Sequence, residues 1–275
     1  MSTSKIVGIF LVRNEDLYIE QAVLNVLDFC DRILIADNYS KDRTWEIVQE
    51  LAKVHRKIEC YRIRRTDESH ALIQHYAGSH TWVFGVDGDE IYDPVGLLRF
   101  RKEVLSGKFD RWWVLFGNVL NCIAIDRTRK EAKGYLAPPC RSMTKLYNFN
   151  AILRWDGPCL ERMLGGTPVF KEGYDASLRL NLHEQVPWEE SPYRCLHVCF
   201  LRRSSRDRRD GSRPNPVEIA SKGFLGRIGL GFLRRKLPDA PEDWKKEKYM
   251  RGELVTKDVS VFFPEQKAIP SLSEK

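Results

Sequence analysis

The sequence predicts an α/β protein, a mainly parallel sheet with helices on both faces. Three observations carry that expectation. Short apolar runs alternate with stretches of helical period through the first hundred residues, the pattern of successive βα units. The runs are continuous, as strands buried on both faces require. Three of them end on polar residues, at Arg13-Asn14, Asp37 and Asp87, and the carboxyl ends of parallel strands are where such sheets bind ligands.

The elements follow in order. Residues 6–12 form a first strand; a signal peptide would need a longer apolar stretch before Arg13, Asn14 and Glu15. Ile19, Ala22, Val23, Val26, Leu27 and Cys30 then share one helical face. Residues 32–36 are a second strand, opening into a polar loop whose Ser40 and Asp42 are placed to cap a helix to about His55. A third strand spans 58–63, a helix 67–77, and a fourth strand 81–86 ends on Asp87. After Pro94 come a helix to about Leu105, a strand over 111–119, a loop with Gly134, Pro138 and Pro139, and a strand over 143–149. The stretch 155–166 is rich in turn residues, and 193–201 reads as a last strand.

Composition narrows the class. The 275 residues are 43% hydrophobic and 30% charged, which supports one large domain and excludes a disordered chain. No run approaches the roughly 20 apolar residues that cross a bilayer, so a cytoplasmic protein is expected. The net charge is +7, but residues 202–236 alone hold eleven Lys or Arg against three acids, which leaves the remainder near neutral. That distribution argues against nucleic acid as the partner, and residues 202–213 lack aromatics to stack on bases. Seven cysteines without a Cys-x-x-Cys pair read as reduced thiols. Cys195, His197 and Cys199 would share one face of a strand; with no fourth ligand at zinc-site spacing, small buried thiols are the better reading.

Asp87-Gly88-Asp89-Glu90 sets three carboxylates in four positions after an apolar strand. Such crowding is repulsive unless a cation or hydrogen-bond donors hold it. Mg²⁺ commonly takes one or two carboxylates together with substrate phosphates. A solvated acidic turn is the alternative for this tetrapeptide alone. Asp37, Arg13 and Asn14, however, stand at the ends of companion strands, so three strand ends converge on a nucleotide-sized site.

These residues resemble family 2 glycosyltransferases. Asp37-Asn38-Tyr39-Ser40-Lys41-Asp42-Arg43-Thr44 is similar to the family's Asp-Asp-Gly-Ser-x-Asp-x-Thr loop, with Asn38-Tyr39 in place of Asp-Gly. Val12-Arg13-Asn14-Glu15 is similar to its first-strand Asn-Glu element, and Asp87-Gly88-Asp89-Glu90 to its Asp-x-Asp motif, in the family's order over about residues 5–93. Lys145-Leu146-Tyr147 followed by Trp155-Asp156-Gly157 looks like a branch acting on lipopolysaccharide cores and related glycans. That branch has Gly-x-x-His-Glu where this chain has Gly157-Pro158-Cys159-Leu160-Glu161.

The resemblance implies a Rossmann-like GT-A fold over 1–200, with a nucleotide-sugar half (1–93), an acceptor half (94–200) and a basic extension (201–275). It implies a nucleoside-diphosphate sugar as donor, bound by Val12, Arg13, Asn14, Asp37, Asp87, Gly88 and Lys145, with Mn²⁺ or Mg²⁺ held by Asp89 and His197. The acceptor would be a hydroxyl of a glycan or lipid-linked saccharide, activated by a carboxylate base: Glu161 first, with Asp156 and Glu184 as rivals. The resemblance implies inversion as well, and transfer of a single sugar follows because Ala151 stands where processive members have the Gln of Gln-x-x-Arg-Trp and no membrane helix is read.

The segment 202–236 mixes cations with Phe224, Leu225, Ile228 and Phe232, which suits an anionic membrane surface at its inner face. A solvated arm or a cover over the acceptor site fits it equally. Other functions remain open at this stage: a sugar-phosphate nucleotidyltransferase, although residues 12–16 lack its usual Gly-rich loop, a non-catalytic nucleotide-sugar binder, or a nucleic-acid binder.

Overall fold

The computed structural model describes residues 4–207 and 243–264. Its first half is built on four parallel strands, β1 (Lys5–Val12), β2 (Arg32–Asp37), β3 (Ile58–Arg62) and β4 (Thr81–Asp87), ordered 3-2-1-4 in space. The chain therefore leaves β1 to one side and returns on the other, which makes the β1/β4 edge a topological switch point. Two helices, α1 (Ile19–Val26) and α2 (Thr44–Val54), connect the first three strands, and the short α3 (Glu68–Ala71) precedes β4.

Alternate residues of these strands enter different cores. Ile6, Phe10, Ile33, Ile35, Phe84 and Val86 pack with Ala22, Val48 and Leu97 on one face, whereas Val7, Ile9, Leu34 and Val83 pack with Phe149, Ile152 and Met163 on the other. Burial on both faces is why the runs are continuously apolar.

Beyond β4 the chain builds a second sheet beside the first. In chain order it forms β5 (Glu90–Tyr92), α4 (Pro94–Leu105), β6 (Val114–Phe116), β7 (Asn118–Asp126), β8 (Glu131–Ala137) and β9 (Lys145–Asn148). There follow the hairpin β10 (Ile152–Glu161) and β11 (Leu164–Phe170), then β12 (Arg179–Asn181), α5 (Leu182–Gln185), β13 (Arg194–His197) and β14 (Leu254–Asp258). The main sheet reads β12-β6-β9-β4-β1-β2-β3, with β9 antiparallel to both neighbours, and the second reads β14-β8-β7-β13-β5.

The structure departs from expectation where long-range contacts override local pattern. The single strand expected over 111–119 is divided between the two sheets at Gly117. A Cβ there would lie 2.1 Å from the Tyr193 carbonyl oxygen, so only glycine lets the chain pass from one sheet to the other. The expected helix over 67–77 shortens to α3 and one 3-10 turn, Gln74–Tyr76, because Ser69 and His70 turn their side chains to the backbone of Arg162. The turn-rich stretch 155–166 is part of the β10–β11 hairpin. That hairpin, together with the α3 segment and its 3-10 turn, covers the second face of the main sheet, while α1, α2 and α4 share the first.

Residues 254–264 join the body, with β14 antiparallel to β8 and Phe262 fully buried, its ring stacked on that of Trp188 at a centroid distance of 5.7 Å. Asn25, a buried polar residue of α1, donates to the carbonyls of Tyr92 and Phe262 at 2.7 and 2.8 Å and ties the sheets together. From 208 onward the basic segment lies outside the described residues until 243. All seven cysteines are free thiols and six are buried. Among the described residues no helix is long and apolar enough to cross a membrane.

Candidate active site

The ends of β1, β2 and β4 lie level. Val12 pairs with Asp37 and Leu11 with Asp87, so the residues after Val12 run between two acidic strand ends. Asn14 takes a left-handed conformation (φ 56°), which an Asn tolerates better than most side chains. That turn lets the Asn14 amide donate to Ser40 Oγ at 2.9 Å while its Oδ1 accepts from the Lys41 amide at 2.6 Å. The Glu15 amide donates to Thr44 Oγ1 at 2.7 Å, and Asp42 accepts from the Thr44 amide at 3.0 Å. The loops after β1 and β2 are thus stitched into one rim, and Arg13 stands exposed on it.

Asp37 has a different setting from the one expected of a nucleotide contact. It is wholly buried, accepts from the Ser40 amide at 3.1 Å and faces Arg62 Nε at 3.4 Å. Burial raises its pKa against these partners. In this conformation it holds the loop 38–42 in place. Arg62 in turn stacks over the rings of Tyr39 and Trp45, 5.2 and 4.7 Å from their centroids.

The Asp87–Glu90 cluster separates into three environments. Asp87 is gripped by two cations, Arg162 Nη2 at 2.6 Å on Oδ1 and Lys145 Nζ at 3.1 Å on Oδ2. Burial opposes ionisation, but the two positive charges outweigh it and hold the carboxyl well below the usual range. Asp89 is buried, ion-paired with Arg203 Nη1, and lies 3.7 Å from His197 Nε2. Burial again opposes its ionisation, and Arg203 followed by His197 lowers its pKa. Glu90 turns into the core, where its Oε2 accepts from the Asp87 amide and the Tyr92 hydroxyl. Burial, then the charge of Asp87, pushes its pKa up to about 8. Gly88 makes this divergence possible, since a Cβ there would sit 2.7 Å from Glu15 Cγ and 3.2 Å from Val12 Cγ1.

The donor set around Asp89 fits a divalent cation. Asn121 Oδ1, which can only accept, lies 2.8 Å from His197 Nδ1, so Nδ1 carries a proton and Nε2 faces Asp89. A hydrogen-bonded partner on the far ring nitrogen is how metal-binding imidazoles are oriented. The guanidinium of Arg203, also 3.5 Å from Glu15 Oε1, supplies positive charge to Asp89 in this conformation. Among the described residues no group of three or more acidic, His or Cys side chains is clustered to hold a metal, so two protein ligands would need diphosphate oxygens to complete the shell.

The three candidate bases lie apart. Glu161 sits at the hairpin tip, with Oε1 3.2 Å from the same Arg162 nitrogen that binds Asp87. Asp156 is exposed and paired with Arg154 at 2.9 Å. Glu184 is exposed beside His183, in a cleft at the β6/β12 end of the sheet. Only Glu161 shares a guanidinium with the strand-end acids.

Sequence reasoning missed Arg162 and Arg203. Arg162 is 3% exposed, has φ 26°, and also donates to the Val86 carbonyl at 2.8 Å. Nothing local distinguishes it from a hairpin surface arginine. Arg203 is the second residue of the basic run, where composition suggested a membrane surface, a solvated arm or a cover. Its neighbours also bind the rim: Ser204 Oγ donates to Asp42 and Ser205 Oγ to Asp16, each at 2.5 Å.

Residues 9–110 match the family model described as glycosyl transferase family 2, a segment that contains the whole rim and ends before the hairpin and His197. No curated protein sequence matches the chain. Similar solved structures include a mannosyltransferase from Pyrobaculum calidifontis in complex with GDP-Man and Mn²⁺ (16% identity, 46% of this chain and 37% of that one, TM-score 0.30). Another is glucosyl-3-phosphoglycerate synthase from Mycobacterium tuberculosis with Mn²⁺, UDP-glucose and phosphoglyceric acid (15% identity, 46% of each chain, TM-score 0.32). A third is 4-diphosphocytidyl-2C-methyl-D-erythritol synthase from Anaerococcus prevotii (11% identity, 55% and 73% coverage, TM-score 0.35). The chain spans less than half the length of the first two.

Proposed function

We propose that this protein, which carries a glycosyl transferase family 2 segment over residues 9–110, transfers one sugar from a nucleoside-diphosphate sugar to an acceptor hydroxyl. The observation that carries the reading is the switch point itself. The ends of β1, β2 and β4 are level there, and two neighbouring carboxylates are set differently, Asp87 by fixed cations and Asp89 opposite an oriented imidazole. Asp89 and His197 would hold a divalent cation, Mn²⁺ or Mg²⁺, that neutralises charge on the departing diphosphate. Because Arg203 already engages Asp89, cation and guanidinium compete for one carboxylate.

The residues of the chain divide the remaining work. Lys145 and Arg162 keep Asp87 ionised and fixed, placing an acceptor of hydrogen bonds where a ribose would lie. Arg13 and Asn14 border the same opening. In the transfer, the acceptor oxygen bonds to the anomeric carbon as the bond to the diphosphate oxygen breaks, and the hydroxyl proton passes to Glu161. Attack from the face opposite the leaving group inverts the anomeric centre.

Calorimetric titration with a panel of nucleoside diphosphates, with and without Mn²⁺, tests this reading. One member should bind, more tightly with metal, and stabilise the parent by about 2.7 kcal/mol at 100 times its Kd. Asp89→Asn should lose the metal-dependent part. Absence of nucleotide binding under both conditions would overturn the proposal.

A further inference from the structure

A second cleft, of about 540 Å³, opens beyond the ends of β6 and β12. Phe116 and Asn181, the last residues of those parallel strands, pair in register and line it, so it lies on the same rim of the main sheet as the strand-end acids. Among the described residues four cations line it, Arg141, Arg179, Lys248 and Arg251, against one carboxylate, Glu184. The cations around Asp87 and Asp89 are spent on those acids, whereas the three arginines here are not. Among the described residues no carboxylate comes within ion-pair distance of Arg141, Arg179 or Arg251, and the side chains of Arg179 and Arg251 donate to the backbone carbonyls of Ala176 and Glu247. His183, with its side chain 9% exposed, lies in the wall.

Like charges gathered around one cavity repel, and a counter-anion inside it removes the cost. Guanidinium forks bind carboxylate and phosphate alike, but an excess of several positive charges suits a group of charge near −2 better than a monoanion. The cleft also adjoins the donor site without sharing its acids. Ser142 in its lining is three residues from Lys145, which grips Asp87, and Lys248 is next to Tyr249, whose ring meets that of His197 at a centroid distance of 5.3 Å.

We propose that this cleft binds a phosphate monoester carried by the acceptor, and so orients the acceptor toward the donor sugar. The word acceptor rests on the glycosyltransferase reading; phosphate binding in the cleft does not.

The test is calorimetric titration of the full chain with glucose 6-phosphate, glucuronate and glucose at matched ionic strength. The parent, the double variant Arg179→Gln/Arg251→Gln and Asp89→Asn are compared. Glucose 6-phosphate should bind the parent and Asp89→Asn alike, with glucuronate at least tenfold weaker and glucose not bound. The double variant, whose altered side chains are exposed, should lose at least tenfold in glucose 6-phosphate affinity while keeping its melting temperature and its nucleoside-diphosphate affinity. No binding to the parent, or equal binding by the double variant, overturns the proposal, and glucuronate binding as tightly as the phosphate overturns the choice of phosphate. Loss of nucleotide binding alone would defeat the donor reading and leave the cleft standing.

Discussion

Replacing Arg162 with methionine isolates what holds the strand-end acid in place. The side chain is 3% exposed and bonds Asp87 at 2.6 Å, the Val86 carbonyl at 2.8 Å and Glu161 at 3.2 Å. Methionine keeps most of the volume, so the loss is chiefly electrostatic. Removing one partner of a buried pair costs about 3–5 kcal/mol, because the other charge is left uncompensated. Lys145 still reaches the other oxygen at 3.1 Å and the Asp87 side chain is 26% exposed, so a loss of about 2–4 kcal/mol is expected. For a chain of this size that lowers Tm by about 5–15 °C. Scanning calorimetry reads the shift, and nucleotide titration should show weaker donor binding, since Asp87 is no longer fixed. Arg162→Lys restores the charge without the fork and should recover only part of each loss. A methionine variant with the parent's Tm and donor affinity would refute the reasoning, for then Asp87 needs no second cation.

Other perturbations test the remaining contacts. Gly88→Ala places a Cβ 2.7 Å from Glu15 Cγ, and overpacking of this kind costs about 1–3 kcal/mol in urea denaturation; an unchanged midpoint would mean that Glu15 yields freely. Glu161→Gln should cut turnover about 10²-fold or more with donor affinity intact. If Glu184→Gln or Asp156→Asn stops turnover instead, the base lies in the cationic cleft or on the outer hairpin. Burial lowers the pKa of His70 from 6.5, so the unfolded chain takes up its proton first and the folded state loses stability as pH falls below that value. Glu90, with its raised pKa, and the lowered His75 and His183 titrate in the same window, so the readout is the difference between parent and His70→Asn: the parent's advantage in denaturation midpoint should shrink as pH falls from about 7.5 to 5, and a constant difference would refute the assignment to His70.

Much of the strand-end rim was legible without coordinates. Successive parallel strands end on the same edge of a sheet, so Arg13, Asn14, Asp37, Asp87 and Asp89 had to approach one another once residues 5–93 were read as βα units. The roles of those residues were not legible. Asp37 reads as a strand-end acid facing a nucleotide and is buried under its own loop, and Glu90 belongs to the acidic tetrapeptide and points into the core.

Local periodicity and turn chemistry by themselves determined the parallel half of the fold and the edge on which its acids stand, because both are properties of consecutive residues. Tertiary structure alone decided which charges those acids meet. Arg162 reaches Asp87 across 75 residues and Arg203 reaches Asp89 across 114, separations over which no repeat or spacing carries information. The division of 111–119 at Gly117 was settled by the carbonyl of Tyr193, and the cationic cleft draws Arg141, Arg179 and Arg251 from three distant segments. Burial removes water from all these groups at once, so the partner that each finds in three dimensions, rather than its neighbours in sequence, sets its charge and the chemistry open to it.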